Sequence, residues 1–500
     1  MMSRASLFLA LSSACATGAM VARLAPHPSL PMVARPRAPG VLRVQLPPQC
    51  NAEAQSPGGV RAQIGAGAQT ALSLGGVVAA DSALRRAFAA KAIAFPSSLA
   101  GFFLTFTVLS ALQSVHPPSA QRLFTSAQPG CAFLAKWLAV FFVPNLVLLP
   151  LVITMGSADL ARLTVLVLCG IATSLPLAAF AASAAPAAPP AAPPAVPPTP
   201  AKPVAPFSAA TLRLLSCSAL ASGVLAVASQ RAPGAAALAA VPWLASASVA
   251  SASRYAYFLS VTLASFVGGA TLVPKRLQKV LHPLVSCTAT TLGAAVLLGA
   301  ATGLPFAGVL RSYLLPGQGA LAAPGNLLLA MLGPATFSFG FMIFQRRALV
   351  AANAAAVSAC VGISSFAGLF GTAAFARYIG LPAAVRLAAV PRQVTAPLAI
   401  AVAGMLGADP SLAATIVVLT GLVVANFGAA ALDALRVRDP VARGLTMGAA
   451  GHGLGTASIS NEPDAFPFAA IAMALNAALS TVIVSVPTLR RLLRAAAGVP

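Results

Sequence analysis

Long apolar runs recur along this 500-residue chain, each bounded by short polar punctuation. About 20 consecutive apolar residues suffice for a helix to cross a bilayer. On that measure the pattern predicts spans over residues 95–114, 133–155 and 160–182, then 208–229, 235–250, 255–273, 283–302, 321–344 and 349–370. Four more follow at 390–406, 412–432, 445–458 and 466–486, and a weaker one at 71–90 is loaded with Asp81, Arg85 and Arg86. The expected fold is an all-α polytopic membrane protein with about 11–13 transmembrane helices, a number that hydropathy alone does not fix.

Three runs are interrupted. Their islands read Leu-Gly-Pro-Ala-Thr (332–336), Val-Pro-Arg-Gln-Val-Thr-Ala-Pro (390–397) and Ala-Arg-Gly-Leu-Thr-Met-Gly-Ala-Ala-Gly-His-Gly-Leu-Gly-Thr-Ala (442–457). Unsatisfied backbone and charged groups are tolerated at membrane depth only where they line a cavity or are buried in protein. The islands therefore predict broken helices around a translocation path. Gly and Thr recur at a break in the first and third islands, about 120 residues apart by count. That spacing suggests an internal repeat in the C-terminal half, with two broken helices meeting near the midplane.

Composition supports the membrane assignment: 58% of residues are hydrophobic and 8% are charged, against about a quarter charged in soluble domains. The net charge of +23 comes from 31 Lys and Arg against 8 Asp and Glu. No aromatic and basic stripe accompanies it, so nucleic acid is not an expected partner. The arginines sit singly or in pairs between apolar runs, where loop charges set topology. The seven cysteines, at 15, 50, 131, 169, 217, 287 and 360, show no paired spacing and read as small buried hydrophobes. No nucleotide-binding loop, metal-spaced cluster or nucleophile constellation is present, which argues against an enzyme and against a cofactor or metal.

The termini and linkers differ in kind. Residues 1–60 combine a short apolar run with an Arg-rich, acid-poor stretch, the composition of a two-step plastid presequence. A mitochondrial address is the alternative. Residues 184–206 hold ten prolines in 23 residues, mostly with alanine, and read as a polyproline linker between two membrane domains. The expected organisation is a removable presequence (1–60), a first membrane domain (70–182), the linker (184–206), additional spans (207–250) and a transport domain (255–490).

Within the islands, several residues are candidates for contact with an anion. Breaks at Gly333, Pro334 and Pro391 would expose helix N-termini, whose free N–H groups attract carboxylates. Thr336 and Thr395 lie just inside them and either face ligand or back-bond their own helix. Arg392 either pairs with a carboxylate or snorkels to the interface; Gln393 and Thr395 beside it favour the ligand. His452 lies among Gly451, Gly453 and Gly455 and either binds substrate, carries a proton or bonds a carbonyl. Thr456 and Pro397 complete the islands. Glu462, with Asn461 and Asp464, is a rare acidic cluster, read as a proton relay with His452, as a gate at a pore mouth or as a solvated loop. Arg443 is expected to pair with Asp439 at a helix start.

These islands resemble the LrgB/CidB family over residues 255–490. The matching stretches are Leu332–Thr336, Pro391–Pro397 with the Leu-Ala-Ile-Ala that follows, and Ala442–Ala457 with Arg443, Gly444, His452, Gly453, Gly455 and Thr456. Phe95-Pro-Ser-Ser-Leu-Ala-Gly-Phe and Phe141-Phe-Val-Pro-Asn resemble LrgA, the small partner that is a separate protein in bacteria. The family usually has Lys at the position of Arg392 and often Ser or Ala at that of Gly451. With the fused arrangement and the presequence, the resemblance implies a multi-pass carrier of the plastid inner envelope that moves glycolate and glycerate in photorespiration. The partners so implied are small organic anions, the lipid bilayer and further copies of the chain. The alternatives are a holin-like pore or envelope-integrity regulator, and a carrier of another monocarboxylate such as pyruvate.

Overall fold

A computed structural model describes residues 57–93, 95–152, 155–184, 207–231, 246–278, 283–459 and 462–500. Residues 1–56 of the presequence, residues 185–206 of the proline-rich linker, most of the 235–250 span and Asn461 lie outside these. Two compact units are distinguished, residues 1–72 and 73–500, and the description concerns the second.

The described elements are helical. They are α1 (Pro57–Ala90), α2 (Ser97–Val115), α3 (Pro117–Trp137), α4 (Ser157–Ala184), α5 (Ala209–Arg231), α6 (Ala247–Thr271), α7 (Pro283–Thr302) and α8 (Phe306–Tyr313). Then come α9 (Pro324–Gln345) and α10 (Ala354–Tyr378). The series closes with α11 (Ala383–Ala389), α12 (Ala396–Leu406), α13 (Pro410–Ala434), α14 (Pro440–Ser458), α15 (Phe466–Ser485) and α16 (Pro487–Ala496). Among the described residues eight helices are long and apolar enough to cross a membrane: α2, α4, α5, α7, α9, α10, α13 and α15. A ninth arises if α3 and the short helical stretch Val140–Leu151, bent 56° from it, count as one span. The apolar run at 133–155 is therefore not one straight helix; Pro144 and Pro150 interrupt its hydrogen-bond ladder.

Helix starts follow the sequence closely. Asp409 and Asp439 each precede a proline, and each carboxylate accepts the N–H three residues on, from Leu412 at 2.7 Å and Ala442 at 2.8 Å. This is an N-cap with proline in the first turn, where its missing N–H costs nothing. Because Asp439 is used as a cap, Arg443 does not pair with it. Arg443 instead grips Glu462 through two bonds of 2.8 Å and reaches Asp433 at 2.7 Å and the Val437 carbonyl at 2.9 Å. That cluster ties together the ends of α13, α14 and the approach to α15.

Helices from before and after residues 184–206 share their cores. One cluster joins Leu166 and Ile171 of α4 to Ala373 of α10, Ile416 of α13 and Met447 of α14. Another joins Leu99 and Phe102 of α2 to Phe339 of α9 and Leu445 of α14. The weakest predicted span, α1, turns one of its charges inward: Asp81 is fully buried, is bonded to Arg85, whose side chain stays half exposed, and lies against Gly333 of α9.

Glycines make the tightest contacts. On α14 an ideal Cβ at Gly444 or Gly448 would sit 2.1 Å from the carbonyl oxygens of Ala465 and Ala469 respectively, so α14 and α15 touch backbone to backbone. On another face, an ideal Cβ at Gly451 would fall 2.4 Å from Val424 of α13. Between these faces α14 kinks: His452 has φ 41°, ψ −136°, a conformation that costs a side-chain-bearing residue about 1–3 kcal/mol.

Two outcomes follow for stability, both measurable by thermal unfolding in detergent. Gly448→Ala should destabilise by at least about 1–3 kcal/mol, because the clash is with backbone that has no rotamer to adjust. His452→Ala should unfold at a lower temperature than His452→Gly, since both lose the imidazole but glycine alone relieves the strain. Equal melting temperatures for the two would show that the kink is not strained.

Candidate functional site

The three islands differ in what they become. The first barely breaks its helix. The ladder lapses at Met331, yet α9 remains a single 22-residue span. Pro334 removes one donor, and Thr336 bonds back to the Leu332 carbonyl at 2.9 Å. Thr336 is thus satisfied inside its own helix, one of its two expected states.

The second island is a complete break. Residues 390–395 form a turn between α11 and α12, held by Arg392 N–H to the Ala389 carbonyl (3.1 Å) and Val394 N–H to that of Pro391 (2.9 Å). Pro397 falls in the first turn of α12, and Thr395 is its N-cap residue without a side-chain cap bond. The turn is buried throughout: Arg392 is 3% exposed, Gln393 4% and Thr395 4%. Asn476 of α15 secures it from below, donating to the carbonyls of Gln393 (3.2 Å) and Ala449 (3.3 Å) while accepting from the Ser365 hydroxyl (2.9 Å).

Arg392 is anchored on two sides. Its Nε donates to Thr372 Oγ1 of α10 at 3.0 Å, and its Nη2 donates to the Gly170 carbonyl of α4 at 2.8 Å. Its Nη1 is buried with no hydrogen-bond partner among the described residues, as are both amide atoms of Gln393 and the hydroxyl of Thr395. Arg392 and Gln393 line a cavity of about 310 Å³ walled by α4 and α10. Opposite them, α10 departs from α-helical pairing over Ala367–Gly371, a π-helical turn of a kind frequent at functional sites. An ideal Cβ on Gly368 there would lie 2.1 Å from Gln393 Oε1. Neither anchoring contact was foreseeable from the islands. Gly170 and Thr372 lie in ordinary apolar runs, and Cys169, expected among buried hydrophobes, is exposed and lines the same cavity.

The third island packs rather than opens. His452 is buried, with Nε2 2.8 Å from the Val417 carbonyl of α13, its bland expectation. Thr456 donates to the His452 carbonyl at 2.8 Å and Ala469 at 3.3 Å. Gly451 and Gly455 pack on α13 and on the Met447 carbonyl, and Gly453 lies in ordinary contact with Met473. Glu462 is held by Arg443, bordering a second cavity of about 310 Å³ with Arg438 and Asp464. Of the sequence candidates, then, Arg392 and Gln393 share one cavity, with Thr395 on the same turn, while Thr336, His452 and Thr456 are satisfied within the protein.

Such a site suits a small anion. A buried guanidinium with an unused donor is costly, and a carboxylate is the group that satisfies it most fully. Known proteins point the same way. Residues 262–489 match the model of the LrgB-like family. The plastidal glycolate/glycerate translocator 1, chloroplastic, of Arabidopsis thaliana is 36% identical over 432 residues, covering 85% of this chain and 80% of that protein. The uncharacterized protein YwbG of Bacillus subtilis (strain 168) is 32% identical over 132 residues, 26% of this chain and 59% of its own length. No solved structure matches. On the strength of the near full-length relative, the chain belongs to the LrgB-like family.

Proposed function

We propose that the protein is a secondary carrier of small 2-hydroxy carboxylates, of the glycolate and glycerate type, in the plastid envelope. The observation that carries this reading is the buried, unpartnered Nη1 of Arg392, a residue that lines a cavity of about 310 Å³. The substrate class and the plastid location come from the Arabidopsis relative, whose name records both. The anion site is assigned to Arg392 and Gln393, with Thr395 on the same turn; Thr336, His452 and Thr456 belong to the framework that holds it.

The mechanism follows from the anchoring. Two donors of Arg392 are used to hold the guanidinium between α4 and α10, which leaves one edge for a substrate carboxylate. A monocarboxylate then neutralises the buried cation. Movement of the 390–397 turn and the helices that flank it against α4 and α10 would expose the neutralised site to either side in alternation. The irregular segments at 367–371 and 390–395 are the places where backbone adjusts without unwinding a full span.

Uptake of radiolabelled glycolate into proteoliposomes preloaded with glycerate tests this. The wild-type protein should show saturable uptake accelerated by internal glycerate, whereas unsaturable leak of glycolate, pyruvate and chloride alike would indicate a pore. Arg392→Gln should lower uptake by at least about tenfold at unchanged membrane expression, since removing a buried charge partner costs about 2–5 kcal/mol. Arg392→Lys keeps the charge but loses the fork between Thr372 and Gly170, and should retain partial uptake. Unchanged uptake by the glutamine variant would remove Arg392 from the site.

A further inference from the structure

The cavity beside Arg392 is not built by the C-terminal helices alone. One wall is α4, which precedes residues 184–206 and contributes Cys169, Gly170, Thr173 and Ser174. Gly170 sets the guanidinium: its carbonyl takes Nη2, and an ideal Cβ there would fall 2.6 Å from Arg392 Cζ, so a larger residue would displace the cation. The neighbouring Thr173 bonds back to the carbonyls of Cys169 and Gly170 at 3.0 and 3.1 Å. Ser174 does not. Its buried Oγ has no hydrogen-bond partner among the described residues, although back-bonding within a helix is the ordinary recourse of a serine in an apolar span.

Arg392, Ser174 and Gln393 all line the cavity, and their buried, unpartnered atoms are one cationic donor, Arg392 Nη1, and two groups that each donate and accept, the Ser174 hydroxyl and the Gln393 amide. A carboxylate uses the first. An alcohol hydroxyl, which itself both donates and accepts, can use the other two. A hydrogen or methyl in its place leaves them both unsatisfied. We infer that Ser174 and Gln393 select for the 2-hydroxyl of the substrate, and that α4 is accordingly part of the substrate site. The inference rests on the carrier reading above and deepens it. Sites built to bond a hydroxyl reject analogues that lack it, because the buried polar groups are then left unpaired.

The test compares glycolate with acetate, which differs by that hydroxyl, as competitors of labelled glycolate uptake by the full chain in proteoliposomes. In the wild type, acetate should need at least about tenfold higher concentration for half-inhibition. Ser174→Ala and Gln393→Met should each shrink that ratio by roughly three- to tenfold, by losing one hydroxyl-directed bond. Ser174→Thr, which keeps a hydroxyl, should preserve it. A lowered overall rate with an unchanged ratio would mark both residues as merely structural and overturn the inference. The second measurement needs no variant: a negatively charged methanethiosulfonate should modify Cys169, read peptide by peptide by mass spectrometry. Glycolate should slow that modification more than equal acetate does. Equal slowing, or none, would likewise overturn it. Absence of saturable glycolate uptake in the wild type would be a different failure, removing the carrier reading and this inference together.

Discussion

Everything about the site depends on burying one guanidinium among apolar helices. A charged group at the centre of a span costs about 2.5–3.5 kcal/mol even on insertion scales, and more when it is unpaired. Among the described residues Arg392 has no acidic partner; its two anchors are a hydroxyl and a backbone carbonyl, both neutral. Neutral acceptors orient a cation without cancelling its charge. The electrostatic cost is therefore left standing and is relieved by whatever anion enters the cavity, which is what a binding site for carboxylates requires.

The surrounding framework exists to hold that turn against its own tendency to relax. Asn476 collects three contacts from three separate segments, and it does so from α15, which α14 approaches at backbone distance through Gly444 and Gly448. Packing of this closeness is rigid, because helices in lipid gain little from apolar contact alone and associate through van der Waals fit and interhelical hydrogen bonds. On the other side of the cavity the structure is looser: a π-helical turn at 367–371 and a wall whose serine has no local bond. One rigid side and one adaptable side is the arrangement in which a ligand can bias two packings of the same helices.

Much of this was legible in the sequence, and the rest was hidden for identifiable reasons. Pro391, Arg392 and Gln393 stand out because nothing apolar explains them, and the turn they form is the one fully broken span among the islands. Gly333 and Pro334 look alike on paper but leave α9 continuous, since a single lost donor bends a helix without ending it. The His452 segment reads as a broken helix and α14 does kink at His452, yet its glycines serve close packing on α13 and α15. The α4 wall gave no signal at all. Leu-Cys-Gly-Ile-Ala-Thr-Ser (168–174) reads as plain membrane helix, and its contact with Arg392 spans 222 residues of sequence. Nothing local in either segment encodes that meeting, which depends on how the helices pack.

The unbalanced cation also bears on how such a carrier would cycle. With the site empty, moving the turn carries an uncompensated charge through a low-dielectric wall, and the desolvation penalty of several kcal/mol opposes it. With a monocarboxylate bound, the pair would be close to neutral. The loaded form would then cross more easily than the empty one. That asymmetry would favour exchange of one hydroxy acid for another over net flow, and it would originate in the neutral anchors of Arg392, Thr372 and Gly170. An acidic anchor in either place would lower the cost of the empty crossing, and with it both the affinity for the anion and the preference for exchange.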